Sequence, residues 1–224
     1  MSRGVLIFDL DGVLVDVADS YRETIIRTIE HFTGRRVTRD YIHEIKNRGG
    51  FNDDWALCHT TIREFGGEAP YQEVVTCFQR LFLGHNNDGL ILREKWIPRD
   101  GLLERLGQRW RFAVFTGRTR DEARLTLDRF AGKIPFDPVI GNTDVENQKP
   151  APDGLLKIRA ALPDLEAVYV GDNIDDGRSA RAAGVSFVGV AGADNSCRQQ
   201  LAELFLAAGA GAVIDNVNEL EQIL

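Results

Sequence analysis

Apolar positions along the chain fall into two kinds of run. The first is short and unbroken. It occurs at 4–8 (GVLIF), 112–116 (FAVFT), 168–170 (VYV) and 186–190 (SFVGV), with weaker copies at 138–140 and 212–214. Runs this short, with no polar residue on alternate positions, predict strands buried on both faces of a parallel sheet. The second kind repeats at helical spacing, over 120–130, 153–162, 176–183 and 198–208. Strands alternating with helices predict right-handed βαβ units, an α/β class and a Rossmann-like, doubly wound parallel sheet. In such sheets a ligand binds beyond the carboxyl ends of the strands.

The stretch from about 17 to 93 breaks that alternation. Tyr21, Ile25, Thr28, Ile29 and Phe32 share one helical face. Trp55, Cys58, Ile62 and Phe65 share another, as do Val74, Phe78, Leu81 and Phe82. No strand pattern interrupts them, so an all-helical cap over 18–92 is expected between the two parts of a core, 1–17 and 93–224. Residues 16–19 and the turn at 96–101 would be its edges. Within the insert Gly49-Gly50 stops one helix, and Asn52 or Asp53 can cap the next.

Composition narrows the class. With 43% hydrophobic and 27% charged residues in 224, the chain reads as an ordinary soluble globular protein. A net charge of −7 argues against a broad nucleic-acid footprint. Asp9, Asp11 and Asp16 break the apolar start too early for a signal-peptide core or a membrane span. Cys58, Cys77 and Cys197 lie far apart and odd in number, which predicts reduced thiols and a cytoplasmic setting. His31, His43, His59 and His85 all fall in the insert without ligand spacing. Oligomeric state is not readable from the sequence.

The chemistry-bearing residues stand at the predicted strand ends. The first strand leads into Asp9-Leu10-Asp11-Gly12 and the next into Thr116-Gly117-Arg118; a later loop carries Lys149-Pro150, and Gly171-Asp172 is followed by Asp175 and Asp176. The predicted fold brings these ends to one edge. Carboxylates there could hold a hard cation such as Mg²⁺ through oxygen. The Thr116 hydroxyl, the N–H groups around Gly117 and the Lys149 ammonium could hold a phosphoryl group. Each has a plainer reading. Acids in a first helical turn favour the dipole and cap N–H groups, and that reading is kept for Asp175. Lys149 taken alone is a surface lysine ahead of a helix. A calcium loop at Asp9 fails, because its fifth position is Val13 and its twelfth Ser20.

These four motifs, in this order and strand context, resemble the haloacid dehalogenase superfamily. Within it they resemble the phosphatases with a helical cap after the first strand, the phosphoglycolate phosphatase and β-phosphoglucomutase-like group. The resemblance implies Asp9 as a nucleophile taking the phosphoryl group and Asp11 as general acid and base. It implies Thr116 and Lys149 as stabilisers of phosphoryl charge. It also implies Mg²⁺ held by Asp9, the Asp11 carbonyl and Asp172, with Asp176 orienting Lys149 or a metal-bound water. The substrate would be a small phosphorylated metabolite, with neither nucleic acid nor membrane as partner. Retention of Asp11 favours phosphoryl transfer over carbon–halogen cleavage. The second motif departs from the Thr/Ser-Asn of relatives: Gly117-Arg118 follows the threonine, and Arg118 either touches phosphate or faces solvent. In relatives a cap loop reads the substrate. Lys46, Arg48 and Asn52 are the matching candidates, against the plainer reading of a turn between helices. A sugar-phosphate mutase is the alternative activity, and a non-catalytic phosphate-ligand binding protein ranks below it.

Overall fold

The computed structural model describes residues 4–193 and 195–224. Two compact units are present, one formed by Met1–Val15 with Trp96–Leu224 and the other by Asp16–Lys95. The chain passes between them through two short strands, β2 (Val15–Asp16) and β3 (Lys95–Trp96), which pair with each other; β1 (Gly4–Phe8) precedes them.

In the first unit β1 is joined by β4 (Trp110–Phe115), β5 (Phe136–Ile140), β6 (Glu166–Gly171), β7 (Ser186–Val190) and β8 (Ala212–Ile214). They form one sheet in the order β5-β4-β1-β6-β7-β8, with every pairing parallel. All five residues of β1 are buried, because both of its faces are covered. Val5 and Ile7 pack into a core with Phe115, Leu155, Ile158, Tyr169, Ile174, Phe187 and Phe205. Phe8 points to the opposite face and meets Phe112 and Phe136, with ring centroids 5.7 and 6.3 Å away.

The strand order places the site. The chain leaves β1 for β4 and β5 on one side, then crosses to β6, β7 and β8 on the other. β1 therefore lies at the point where the winding reverses, and a crevice opens between the loops that leave its neighbours there. Register fixes the geometry: Phe8 lies opposite Val114 on β4 and Val170 on β6. The residues just past those strand ends, Asp9, Thr116 and Asp172, accordingly fall at one edge.

Helices α5 (Leu102–Gly107), α6 (Arg120–Ala131), α7 (Asp153–Ala161), α8 (Ile174–Ala183), α9 (Arg198–Ala207) and α10 (Leu220–Ile223) complete this unit. α6 starts with a capping box between Thr119 and Glu122. α8 starts two residues earlier than the 176–183 run predicted from the sequence. Asn173 is the cap: its Oδ1 accepts from Asp175 N at 3.0 Å, and Asp176 Oδ2 accepts from Asn173 N at 3.0 Å.

The second unit consists of four helices, α1 (Tyr21–Thr33), α2 (Arg39–Arg48), α3 (Asp54–Glu64) and α4 (Tyr71–Phe82), followed by a 3₁₀ turn at Leu90–Arg93. Ile25, Ile29, Leu57, Ile62, Val74 and Phe78 are fully buried among them. Tyr21 packs edge-on against Phe82, with centroids 4.5 Å apart. α2 stops at Gly49 and Gly50, both at positive φ. Asp53 caps α3 by accepting from Trp55 N and Ala56 N. Among the described residues no helix is long and apolar enough to cross a membrane.

Candidate active site

The loop after β1 folds back tightly, with Leu14 N and Val15 N both donating to Leu10 O at 2.9 Å. Gly12 makes that turn at φ +72°, a left-handed conformation that costs an L-residue about 1–2 kcal/mol. A Cβ there would also stand 2.0 Å from Asp172 Oδ2. Gly171 is similarly pressed on Asp176, with 2.5 Å between its would-be Cβ and the Asp176 side chain. At Gly12 the loops after β1 and β6 thus approach closely because no side chain separates them, and Gly171 lets the start of α8 close on the end of β6.

Asp9, Asp172 and Asp176 bring carboxylate oxygens within 4.8 Å of one another. Lys149 reaches the same place from the loop before α7. Its Nζ lies 2.8 Å from Asp176 Oδ1 and 3.2 Å from Asp9 Oδ1, over the faces of Phe115 and Tyr169. Tyr169 OH is 2.8 Å from Asp176 Oδ1 and 3.0 Å from the Phe115 carbonyl, so its one hydrogen has two acceptors. Asp9 is held by Leu10 N, which donates to its Oδ1 at 2.7 Å.

Burial dominates the electrostatics. It raises the Asp9 carboxyl to about 6, with Asp176 and Asp11 pushing the same way and Lys149 opposing. Burial alone would pull the Lys149 ammonium down, but Asp176 and Asp9 outweigh it and hold it above its ordinary value. The Tyr169 phenol sits well above its ordinary range, through burial first and Asp176 second. Three carboxylates and one ammonium give the cluster a formal charge of −2, which a divalent cation cancels. The donors are all hard oxygens, with no imidazole or thiolate among the three, which fits Mg²⁺ rather than zinc.

Thr116 is buried at the end of β4, and its N–H continues the ladder to Ile140 O. Gly117 is half-buried. Arg118 does not face solvent. Its side chain is 1% exposed, and its guanidinium lies on Asp11 and Thr126. The Asp11 side chain is thereby turned to Arg118 and does not join the three clustered carboxylates. Lys46, Arg48 and Asn52 belong to the helical unit. Lys46 pairs with Asp54 at 2.6 Å, Arg48 is exposed, and Asn52 is half-buried in the turn before α3. Tyr169 and Thr126 escape the sequence reading. The one signal for Tyr169 is a hydroxyl-bearing residue between two valines in the run 168–170, three positions before Asp172.

The family model for haloacid dehalogenase-like hydrolases matches residues 6–190. The chain belongs to that family. A Phytophthora nicotianae protein named imidazoleglycerol-phosphate dehydratase is 36% identical over 194 residues, covering 83% of this chain. The chain spans only 42% of that relative's length, so the relative's named activity is not assigned to it. A phosphoglycolate phosphatase from Cereibacter sphaeroides is 27% identical over 184 residues, covering 81% of this chain and 82% of the relative. Among solved structures, a phosphonoacetaldehyde hydrolase-like protein from Oleispira antarctica superposes with a TM-score of 0.75 at 20% identity, covering all of this chain and 91% of the other. That likeness is one of fold. At the carboxyl edge of its sheet this haloacid dehalogenase-like hydrolase brings Asp9, Asp172, Asp176 and Lys149 together.

Proposed function

We propose that this protein is a divalent-metal-dependent phosphatase of a small phosphorylated metabolite, working through an aspartyl-phosphate on Asp9. The observation that carries this reading is the position of Asp9: buried at the winding-reversal point, beside Lys149, with Asp172 and Asp176 in reach. A carboxylate approaching a phosphate dianion meets strong repulsion unless cations offset it.

Asp9 and Asp172, with the Asp11 main-chain carbonyl, would hold Mg²⁺. When bound, the ion supplies positive charge beside the transferring phosphoryl group. Asp176 accepts from Tyr169 OH and Asn173 N and is ion-paired with Lys149, which supports its role in orienting Lys149. In the first step an Asp9 oxygen forms a bond to phosphorus as the ester P–O bond breaks, and Asp11 gives its proton to the departing oxygen. Thr116 Oγ1 and Lys149 Nζ bind the equatorial phosphoryl oxygens. In the second step Asp11 takes a proton from water, whose oxygen bonds to phosphorus and releases Asp9. Of the helical unit's three named residues Lys46 is engaged by Asp54, which leaves Arg48 and Asn52 as the specificity residues proposed.

The test is phosphate release from a panel of phosphomonoesters with Mg²⁺, headed by phosphoglycolate and imidazoleglycerol phosphate, the compounds in the relatives' names. Release from at least one ester is expected. Conversion to an isomeric ester without release would instead mark a mutase, and inertness toward every ester would overturn the reading.

A further inference from the structure

Arg118 is among the largest fully buried side chains of the protein. A guanidinium taken out of water is costly unless its donors are met. Here Nε and Nη2 lie 2.7 and 2.6 Å from Asp11 Oδ1, and Nη1 donates to Thr126 Oγ1 at 3.0 Å. Thr126 is itself fully buried on α6. The Arg118 backbone is fixed as well. Its N–H donates to Thr116 Oγ1 at 3.3 Å, and its carbonyl accepts from Asn142 N at 2.8 Å. The arginine is therefore a strut running from a helix to the Asp11 carboxylate, across 107 residues of sequence.

We propose that Arg118 is a positioning residue for Asp11, which rests on the reading of Asp11 as the proton carrier. Both guanidinium contacts to Asp11 fall on Oδ1, so Oδ2 is the oxygen that exchanges a proton with the leaving group and with water. Asp11 sits in a loop rather than on a strand, and a carboxylate there rotates about two side-chain bonds. A guanidinium that donates to it through Nε, ion-pairs with it through Nη2 and is anchored by Thr126 at Nη1 holds one rotamer. Arg118 thus touches the proton carrier, not the phosphoryl group.

The test compares kcat/KM for two esters under Mg²⁺, an alkyl phosphate found active in the panel and p-nitrophenyl phosphate. The alkyl leaving oxygen needs a proton in the transition state, whereas p-nitrophenolate does not. Arg118→Ala is expected to lower the alkyl-ester value roughly 10- to 100-fold, below the ~10²–10⁴-fold of general acid catalysis because the carboxyl remains. The aryl ester should fall less than about 3-fold. In an Asp11→Asn background the same substitution should add little, because the two act as one unit. Thr126→Val, which keeps the ion pair and removes the anchor, should show a weaker form of the same selectivity. That variant decides the matter if Arg118→Ala fails to fold. Equal losses on both esters, or multiplying losses in the double variant, overturn the proposal while leaving Asp11 in its role. An Asp11→Asn protein with no preference between esters overturns the role of Asp11, and the proposal with it.

Discussion

Tyr169→Phe removes one oxygen from the least accessible part of the site and keeps the ring. The lost hydroxyl stands 2.8 Å from the Asp176 carboxylate and 3.0 Å from the Phe115 carbonyl. The residue has no exposed surface, so water does not replace the oxygen. The hydroxyl stays protonated across the working pH range, since burial and the acids around it hold the phenol well above its ordinary value. A hydrogen bond to a charged acceptor is worth ~1.5–3 kcal/mol when a buried partner is left unmet. At ~2–4 °C per kcal/mol for a chain of this size, the melting temperature should fall by about 3–12 °C. Activity should suffer far less. Lys149 keeps both carboxylates and both ring faces, so kcat/KM should stay within about 10-fold of the parent. Urea denaturation and steady-state assays on one preparation would measure both. A stability loss under about 0.5 kcal/mol would refute the hydrogen bond to Asp176. A 100-fold activity loss at unchanged stability would place the hydroxyl in the reaction itself.

Asp9→Asn should cut turnover by ~10³-fold or more at near-constant fold, because the amide matches the carboxylate in shape but does not attack phosphorus; substantial residual phosphate release would sink the covalent route. Chelation with EDTA should abolish activity and Mg²⁺ should restore it, with Ca²⁺ a poor substitute because of its looser, higher coordination; full turnover in metal-free buffer would contradict the metal assignment. Gly12→Ala should destabilise by at least about 1–2 kcal/mol from its left-handed backbone. The new methyl should also displace Asp172 and raise the Mg²⁺ needed for half-maximal activity, and an unchanged metal requirement would show that the loops give way without cost to the site.

Strands were legible where the apolar run itself ends at a polar or glycine boundary. Gly4–Phe8, Ser186–Val190 and Ala212–Ile214 match their patterns residue for residue. β4 and β6 begin earlier than the pattern, at Trp110 and Glu166, because their first residues keep the backbone ladder while Arg111 and Glu166 stay exposed. α5 is six residues and shows too few turns for a helical period to register. α2 buries only Ile42 and Ile45, so its face is equally faint in the sequence.

The site divides along the same physical line. Residues at strand ends are placed by topology, and topology follows from the alternation of strands and helices, which groups Asp9, Thr116 and Asp172 at one edge. Side-chain partnerships between elements follow from register and rotamer, which no local pattern encodes. The sequence shows Arg118 as a departure from the second motif and offers two sites for its charge, phosphate or solvent. The fold supplies a third, because pairing β1 beside β4 sets the loop holding Arg118 against the loop holding Asp11. Tyr169 follows the same logic. Its backbone belongs to a core strand, and its hydroxyl acquires meaning only once α8 has put Asp176 over it. The first tier of such a centre, the groups that would meet phosphorus and metal, is written in motif order. The tier that holds those groups still is written in the packing, and Arg118 and Tyr169 are the two positions where substitution would separate the two.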